Sequence, residues 1–220
     1  RVYVHAPSKE EFFPLLNHWR DVLERDIANM TPGRLYIGEQ YLTCYIYASS
    51  KSMWSKDIRL NIDAAKLVSE YPFWCKDVAV EISAADFAVP PDGFLDYEYD
   101  YEYDYRQPVN IDIYNDNYTD AEFVMTMHGD CVNPGIIIGR HRYEVRTTLL
   151  EGEYLVIDSR EKSITKVDND GRKTNIYNAQ NKQYDIFAKI PVGWNTVELI
   201  NVPNVKLTQI HERSEPLWNF

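Results

Sequence analysis

Residues 142–167 read RYEVRTTLLEGEYLVIDSREKSITKV. β-Branched and aromatic residues fill three short runs, RYEVRTTLL, EYLVID and SITKV, and the first two are separated by the turn pair Glu151-Gly152. The pattern continues on both sides. VNIDIYN, AEFVMTMHG and GIIIG come before it, and YDIFAKI, NTVELI and VKLTQIH come after. Asn133-Pro134-Gly135 and Asp168-Asn169-Asp170-Gly171 supply further turns. Eight or nine short strands in the second half predict an antiparallel β-sandwich or jelly-roll-like domain over 109–220.

The first half reads differently. RVYVHAP (1–7) alternates like a strand and turns at Pro7. SKEEFFPLLNHWRDVLERDIANMTPG (8–33) is the one convincing helix. Ser8 and Glu11 have capping-box spacing, whereas Pro14 places the start of regular helix near residue 13. Leu15, Leu16, Trp19, Val22, Leu23 and Ile27 form the expected apolar stripe, and Thr31-Pro32-Gly33 stops the helix. RLYIG, YLTCYIYAS and DIRLNIDAAKLVSEYPFW then read as strands. Residues 1–77 are therefore expected to be one helix on a small sheet, giving a mainly β, two-domain chain with one major helix.

Between the halves, residues 78–108 are expected to be a connecting arm, because Pro90, Pro91, Gly93 and Pro108 crowd its later part. Residues 96–105, DYEYDYEYDY, alternate five carboxylates with five tyrosines. As a strand this puts Tyr97, Tyr99, Tyr101, Tyr103 and Tyr105 on one face and the acids on the other. Such a strap would lay its rings on another domain or subunit and keep its acids wet. The alternative is an acidic linker, although linkers are normally poor in aromatics.

The chain of 220 residues is 45% hydrophobic and 26% charged, as soluble globular proteins are. No apolar run reaches the roughly 18 residues of a spanning helix, so no membrane insertion is expected. The formal charge of −11 opposes sequence-specific nucleic-acid binding. Three widely spaced cysteines, Cys44, Cys75 and Cys131, fit reduced thiols in a chain made in a cytoplasm. The chain opens without an initiator Met or a signal pattern, so it is expected to begin partway through a longer product.

Reactive constellations are sparse. His5, His18, His128, His141 and His211 show no HExxH, and CxxC is missing too, so neither a metal nor another cofactor is expected. DNDG at 168–171 opens like a calcium loop but lacks the closing acids, which leaves a tight turn. Cys131 follows His128 by three residues without an orienting third group. No catalytic residue is assigned. Trp19, Trp54, Trp74, Trp194 and Trp218 either line a sugar-binding face or fill a core or interface. Trp218, near the carboxyl end in ERSEPLWNF (212–220), would fray unless it docks, so this segment is expected to return to the first domain.

Taken in order, PGRLYI, YIYASSKSMW, SEYPFW, YDYEYDY, GDCVNPGIIIG, LLEGEYLVIDSREKSITKV, IFAKIPVGWNTVEL and ERSEPLW resemble the distal tail proteins of long-tailed, non-contractile bacteriophages. The resemblance runs over essentially the whole chain. It implies a non-enzymatic structural protein of the virion tail tip, or baseplate, made in the host cytoplasm and serving host adsorption. It implies a homo-hexameric ring between the tail-tube protein and the tail-tip hub protein, with a central channel for DNA. The first domain would make the ring. The second would be a galectin-like sandwich holding a receptor-binding or adhesion protein. Family members carry further strands before the equivalent of Arg1. Interface residues are then expected at Tyr97, Tyr99, Tyr101, Tyr103, Tyr105 and Trp218, and on the helix at Arg20, Glu24 and Arg25, whose alternative is a solvated face. Two rival functions remain: a glycan-binding adhesin acting through the sandwich, and a cell-wall hydrolase needing two converging carboxylates.

Overall fold

The computed structural model describes residues 2–51, 60–87 and 111–217. Described strands are antiparallel wherever they pair, and one α-helix is present among the described residues. The chain divides into two compact units, Arg1–Lys76 with Glu212–Phe220, and Asp77–His211.

In the first unit, β1 (Val2–His5) pairs with β4 (Leu60–Val68), and β4 pairs with β3 (Gln40–Lys51). The first half of β3 instead pairs with β2 (Gly33–Ile37), from Gly33↔Cys44 to Ile37↔Gln40. A bulge between Ile46 and Ala48 follows this change of partner. Gly38, at φ +60°, opens the two-residue turn of the β2–β3 hairpin, where a side chain would be strained.

Helix α1 spans Lys9–Ala28, four residues earlier than Pro14 led us to expect. Ser8 caps it: its Oγ accepts from the Glu11 N–H at 3.3 Å, and its carbonyl accepts from Phe12 N–H at 3.1 Å. Pro14 removes one hydrogen bond inside an already capped helix, so the cap decides the start. At the other end Thr31 N–H reaches Asp26 O and Met30 N–H reaches Ile27 O, with Met30 at φ +48°. This is a Schellman ending with Met where Gly is usual.

The expected stripe is also corrected. Phe12 and Leu16 are buried and Trp19 and Leu23 half-buried, whereas Leu15, Val22 and Ile27 are exposed. The true stripe runs 12–16–19–23, because helical period, counted from the cap, brings those residues to one side. Phe12 and Leu16 join Val4 and Ala6 in a cluster of four.

The part of β5 (Trp74–Ser83) from Val78 onward and a 3-10 turn at Ala84–Phe87 occupy positions expected to be arm. Val78, Val80 and Ile82 alternate with Ala79 and Glu81, so this stretch is a strand on period-2 grounds. The division between the units falls inside β5 and inside β16 (Asn204–Arg213).

The second unit is built on two sheets. One places β16 beside β7 (Glu122–His128), then β12 (Tyr154–Asp158), β13 (Ser163–Val167) and β14 (Lys173–Asn175). The other has the order β10–β9–β15–β6: β10 (His141–Glu144), β9 (Gly135–Ile138), β15 (Gly193–Ile200), β6 (Ile111–Asn115). Their apolar faces meet in one core. Phe123, Met125, Leu155, Ile157 and Leu207 come from the first sheet and Ile113, Ile136, Ile138, Tyr143 and Val197 from the second. Tyr143 presents its ring edge to Phe123 at 5.3 Å and donates its hydroxyl proton to Ala188 O at 2.8 Å. Burial, with Asp185 nearby, pushes its phenol well above the usual range, so it stays a neutral donor. Asp168–Gly171 closes the β13–β14 hairpin, with Gly171 N–H on Asp168 O at 2.8 Å.

Candidate interaction surfaces

Three of the nine expected interface residues are described. Arg20, half-buried, and Glu24, exposed, lie one turn apart on α1, and Arg25 is exposed in its last turn. A cation there suits the negative helix end, which is a reason for Arg25 without any partner. Glu24 and Arg25 point about 100° apart, so the three do not make one patch. Tyr97, Tyr99, Tyr101, Tyr103, Tyr105 and Trp218 lie outside the described residues.

Apolar exposure in the first unit is wider than those residues predicted. Tyr36, Tyr47, Leu15, Val22, Leu67 and Val68 are among the large hydrophobics left open. The rings of Tyr71 and Phe73 lie 5.2 Å apart, and Tyr36 lies 5.8 Å from Tyr41, over which the Arg34 guanidinium also sits at 4.2 Å. Tyr36 and Tyr47 alternate along their strands with half-buried residues, and alternation alone says which face a residue takes, not which face is covered.

The carboxyl-terminal segment is tied within the first unit. Gln40, 8% exposed, accepts from Leu217 N–H at 3.1 Å and donates its Nε2 to Leu217 O at 3.4 Å. An amide that satisfies both backbone groups of one residue acts as a two-point clamp.

Cys131 is buried, donates weakly to His128 O at 3.8 Å, and burial with Asp130 beside it pushes its thiol up, away from the nucleophilic thiolate. The His128 ring packs on Tyr154 instead. No group of three or more potential metal ligands occurs among the described residues. Glu153 accepts from Leu150 N–H at 2.8 Å and pairs with Lys166 at 2.7 Å, and both hold its carboxyl below the usual range. Burial would raise Glu122, but the Ser159 hydroxyl at 2.5 Å and Lys189 at 3.0 Å outweigh it and lower that carboxyl too. A glycosidase proton donor needs the opposite shift. An open depression of about 440 Å³ lies at Arg146 and Asn178–Gln183; amides, Ala179 and two cations line it, without an aromatic ring.

One surface feature of the second unit was not singled out from sequence. Trp194, 74% exposed, sits opposite Tyr114, 50% exposed, on neighbouring strands β15 and β6. Their ring centroids are 4.8 Å apart at 41°. GWNTVEL carries the signal: Asn195 and Val197 point inward, so Trp194 shares the outer face with Thr196 and Glu198.

No family model matches the sequence, and no curated protein matches it. The fold does match solved structures. The Dit protein of phage SPP1, described as a paradigm of the hub adsorption apparatus in phages infecting Gram-positive hosts, superposes with a TM-score of 0.54 over 94% of this chain and 74% of its own. The chain has the fold of a phage distal tail protein. Identity to that protein is 7%, so it is the fold that is shared. Structures of the phage P2 baseplate in its activated conformation give the same answer. With Ca the TM-score is 0.57 at 12% identity, covering 96% of this chain and 78% of that one. With Sr it is 0.55 at 13%, covering 95% and 76%. No helix among the described residues is long and apolar enough to cross a membrane.

Proposed function

We propose that this chain is a structural, non-enzymatic protein of a phage tail tip. Six copies close a ring through the first unit, between the tail-tube protein and the hub protein, and leave a central channel for DNA. The second unit, galectin-like in this reading, projects outward and holds a receptor-binding or adhesion protein. The chain is made in the host cytoplasm and resides in the virion.

The observation that carries the reading is the imbalance of the first unit. Among the described residues its buried cluster has four members, while Tyr36, Tyr47, Leu67 and Val68 stay open to solvent. Large hydrophobics left exposed in such number beside so small a buried cluster suit a surface that another molecule covers. The resemblance to distal tail proteins makes a second copy the expected partner. Arg20, Glu24 and Arg25, together with Tyr97–Tyr105 and Trp218, remain candidate contacts of this assembly. Net charge fits as well, since an acidic channel wall keeps DNA from adhering as it passes.

Gold-labelled antibody against this chain, imaged on the parent particles, tests the placement. Label at the tip of the tail is expected. Label along the tail shaft or on the head would overturn it.

A further inference from the structure

The outer face of the β10–β9–β15–β6 sheet carries an arrangement that ring formation does not use. Along β15 the outward residues are Trp194, Thr196 and Glu198; along β6 they are Asp112 and Tyr114. Register pairs Trp194 with Tyr114, and Thr196 with Asp112. Two aromatic rings thus lie beside a row of hydrogen-bonding side chains.

The platform is held from below. Asn195, buried directly behind it, donates its Nδ2 to Pro191 O at 2.8 Å and Gly193 O at 3.0 Å, and Asp120 accepts from Val192 N–H at 3.2 Å. Asn115 Nδ2 donates to Ile190 O at 3.0 Å. The strand ends bearing both rings are therefore fixed before any ligand arrives, which lowers the ordering cost of binding. Tryptophan is highly buried on average, so one three-quarters exposed on a rigid strand is a marked exception.

We propose that Trp194 and Tyr114 form a stacking platform for a neutral saccharide, with Asp112 and Thr196 hydrogen-bonding its hydroxyls. A pyranose ring has an apolar C–H face and a polar rim, and this surface offers both complements side by side. Charge selects among ligands that stack on aromatic rings. Nucleic-acid bases would bring phosphates against Asp112, Glu198 and a protein of net charge −11, which repel them. Size argues against a protein partner. Two rings of about 150–250 Å² each, partly covered, fall well short of the roughly 800 Å² per side of a stable interface.

The test uses the full chain. Tetrasaccharides of glucose, galactose and N-acetylglucosamine are titrated in turn by calorimetry, with oligothymidylate as a separate titrant. At least one tetrasaccharide should bind saturably, and Trp194→Ala should weaken it by at least about tenfold, as loss of an aromatic anchor does. Tyr114→Ala and Asp112→Asn should weaken it less, and Trp194→Phe should recover part of the loss. Melting temperatures should stay unchanged, since these side chains are exposed. Four results would overturn the proposal: no binding of any tetrasaccharide at millimolar concentration, binding indifferent to both Trp194→Ala and Tyr114→Ala, tighter binding of oligothymidylate, or loss of a purified tail protein's binding on Trp194→Ala without saccharide binding. A six-fold species lacking saccharide affinity would sink this proposal and leave the ring reading intact.

Discussion

The two units solve the same packing problem with unequal means. In the second, 21 buried residues form one continuous core fed by both sheets. In the first, the comparable cluster among the described residues has four. Yet thirteen large hydrophobics are exposed among the described residues of the smaller unit against eight in the larger. A sheet with a helix on it needs cover for its remaining apolar surface. The second unit finds that cover within itself; the described residues of the first leave it open.

That contrast can be broken by mutation. Phe123→Ala, at the centre of the sandwich, should cost about 4 kcal/mol in denaturant unfolding, the loss expected of a fully enclosed ring. Phe12→Ala should cost about 3 kcal/mol, because a four-residue cluster relaxes more readily around the cavity. If Phe12 proved the costlier of the two, the first unit would hold a better core than its burial indicates. Gln40→Ala, which releases both backbone groups of Leu217, should cost about 1–2 kcal/mol. Deletion of residues 212–220 should do at least as much, and an unchanged melt would remove the clamp from the account.

Smaller effects sharpen the picture. Met30→Gly should stabilise by about 1 kcal/mol, because Met30 is 84% exposed and held at positive φ, where glycine carries no Cβ penalty. In the second unit, acid should act through Glu153. Its carboxyl is lowered from 4.5 by Leu150 N–H and Lys166, so its contribution is present above that value and lost as pH falls through the folded one. The melting-temperature gap between the native chain and Glu153→Gln should therefore narrow below about pH 4.5. A gap that widens there would reverse the sign of the shift.

Much of the fold was legible in the sequence, and the misses have physical causes. Turn chemistry at Glu151-Gly152 and Asp168–Gly171 placed the strands of the sandwich because turns are local. The helix start was misjudged because a favourable cap outweighs one missing hydrogen bond at Pro14. Its stripe shifted because Leu15, Val22 and Ile27 are apolar but sit at the flanks, and hydrophobicity alone does not say what covers a residue. β5 went unread beyond Trp74 because the prolines at 90 and 91 drew the boundary towards themselves. Trp194 was readable from alternation but was weighed with the other tryptophans as one class. Interfaces between copies leave no such local mark, since they depend on where strands far apart in sequence turn their faces.

The measurement that bears most directly on the unequal units is native mass spectrometry of the full chain, alone and with the tail-tube protein, beside a Tyr36→Ser/Tyr47→Ser variant. A six-fold species that the variant loses, while its melting temperature holds, is the predicted result. A monomer under both conditions at every concentration, or a six-fold species indifferent to those two tyrosines, would contradict it.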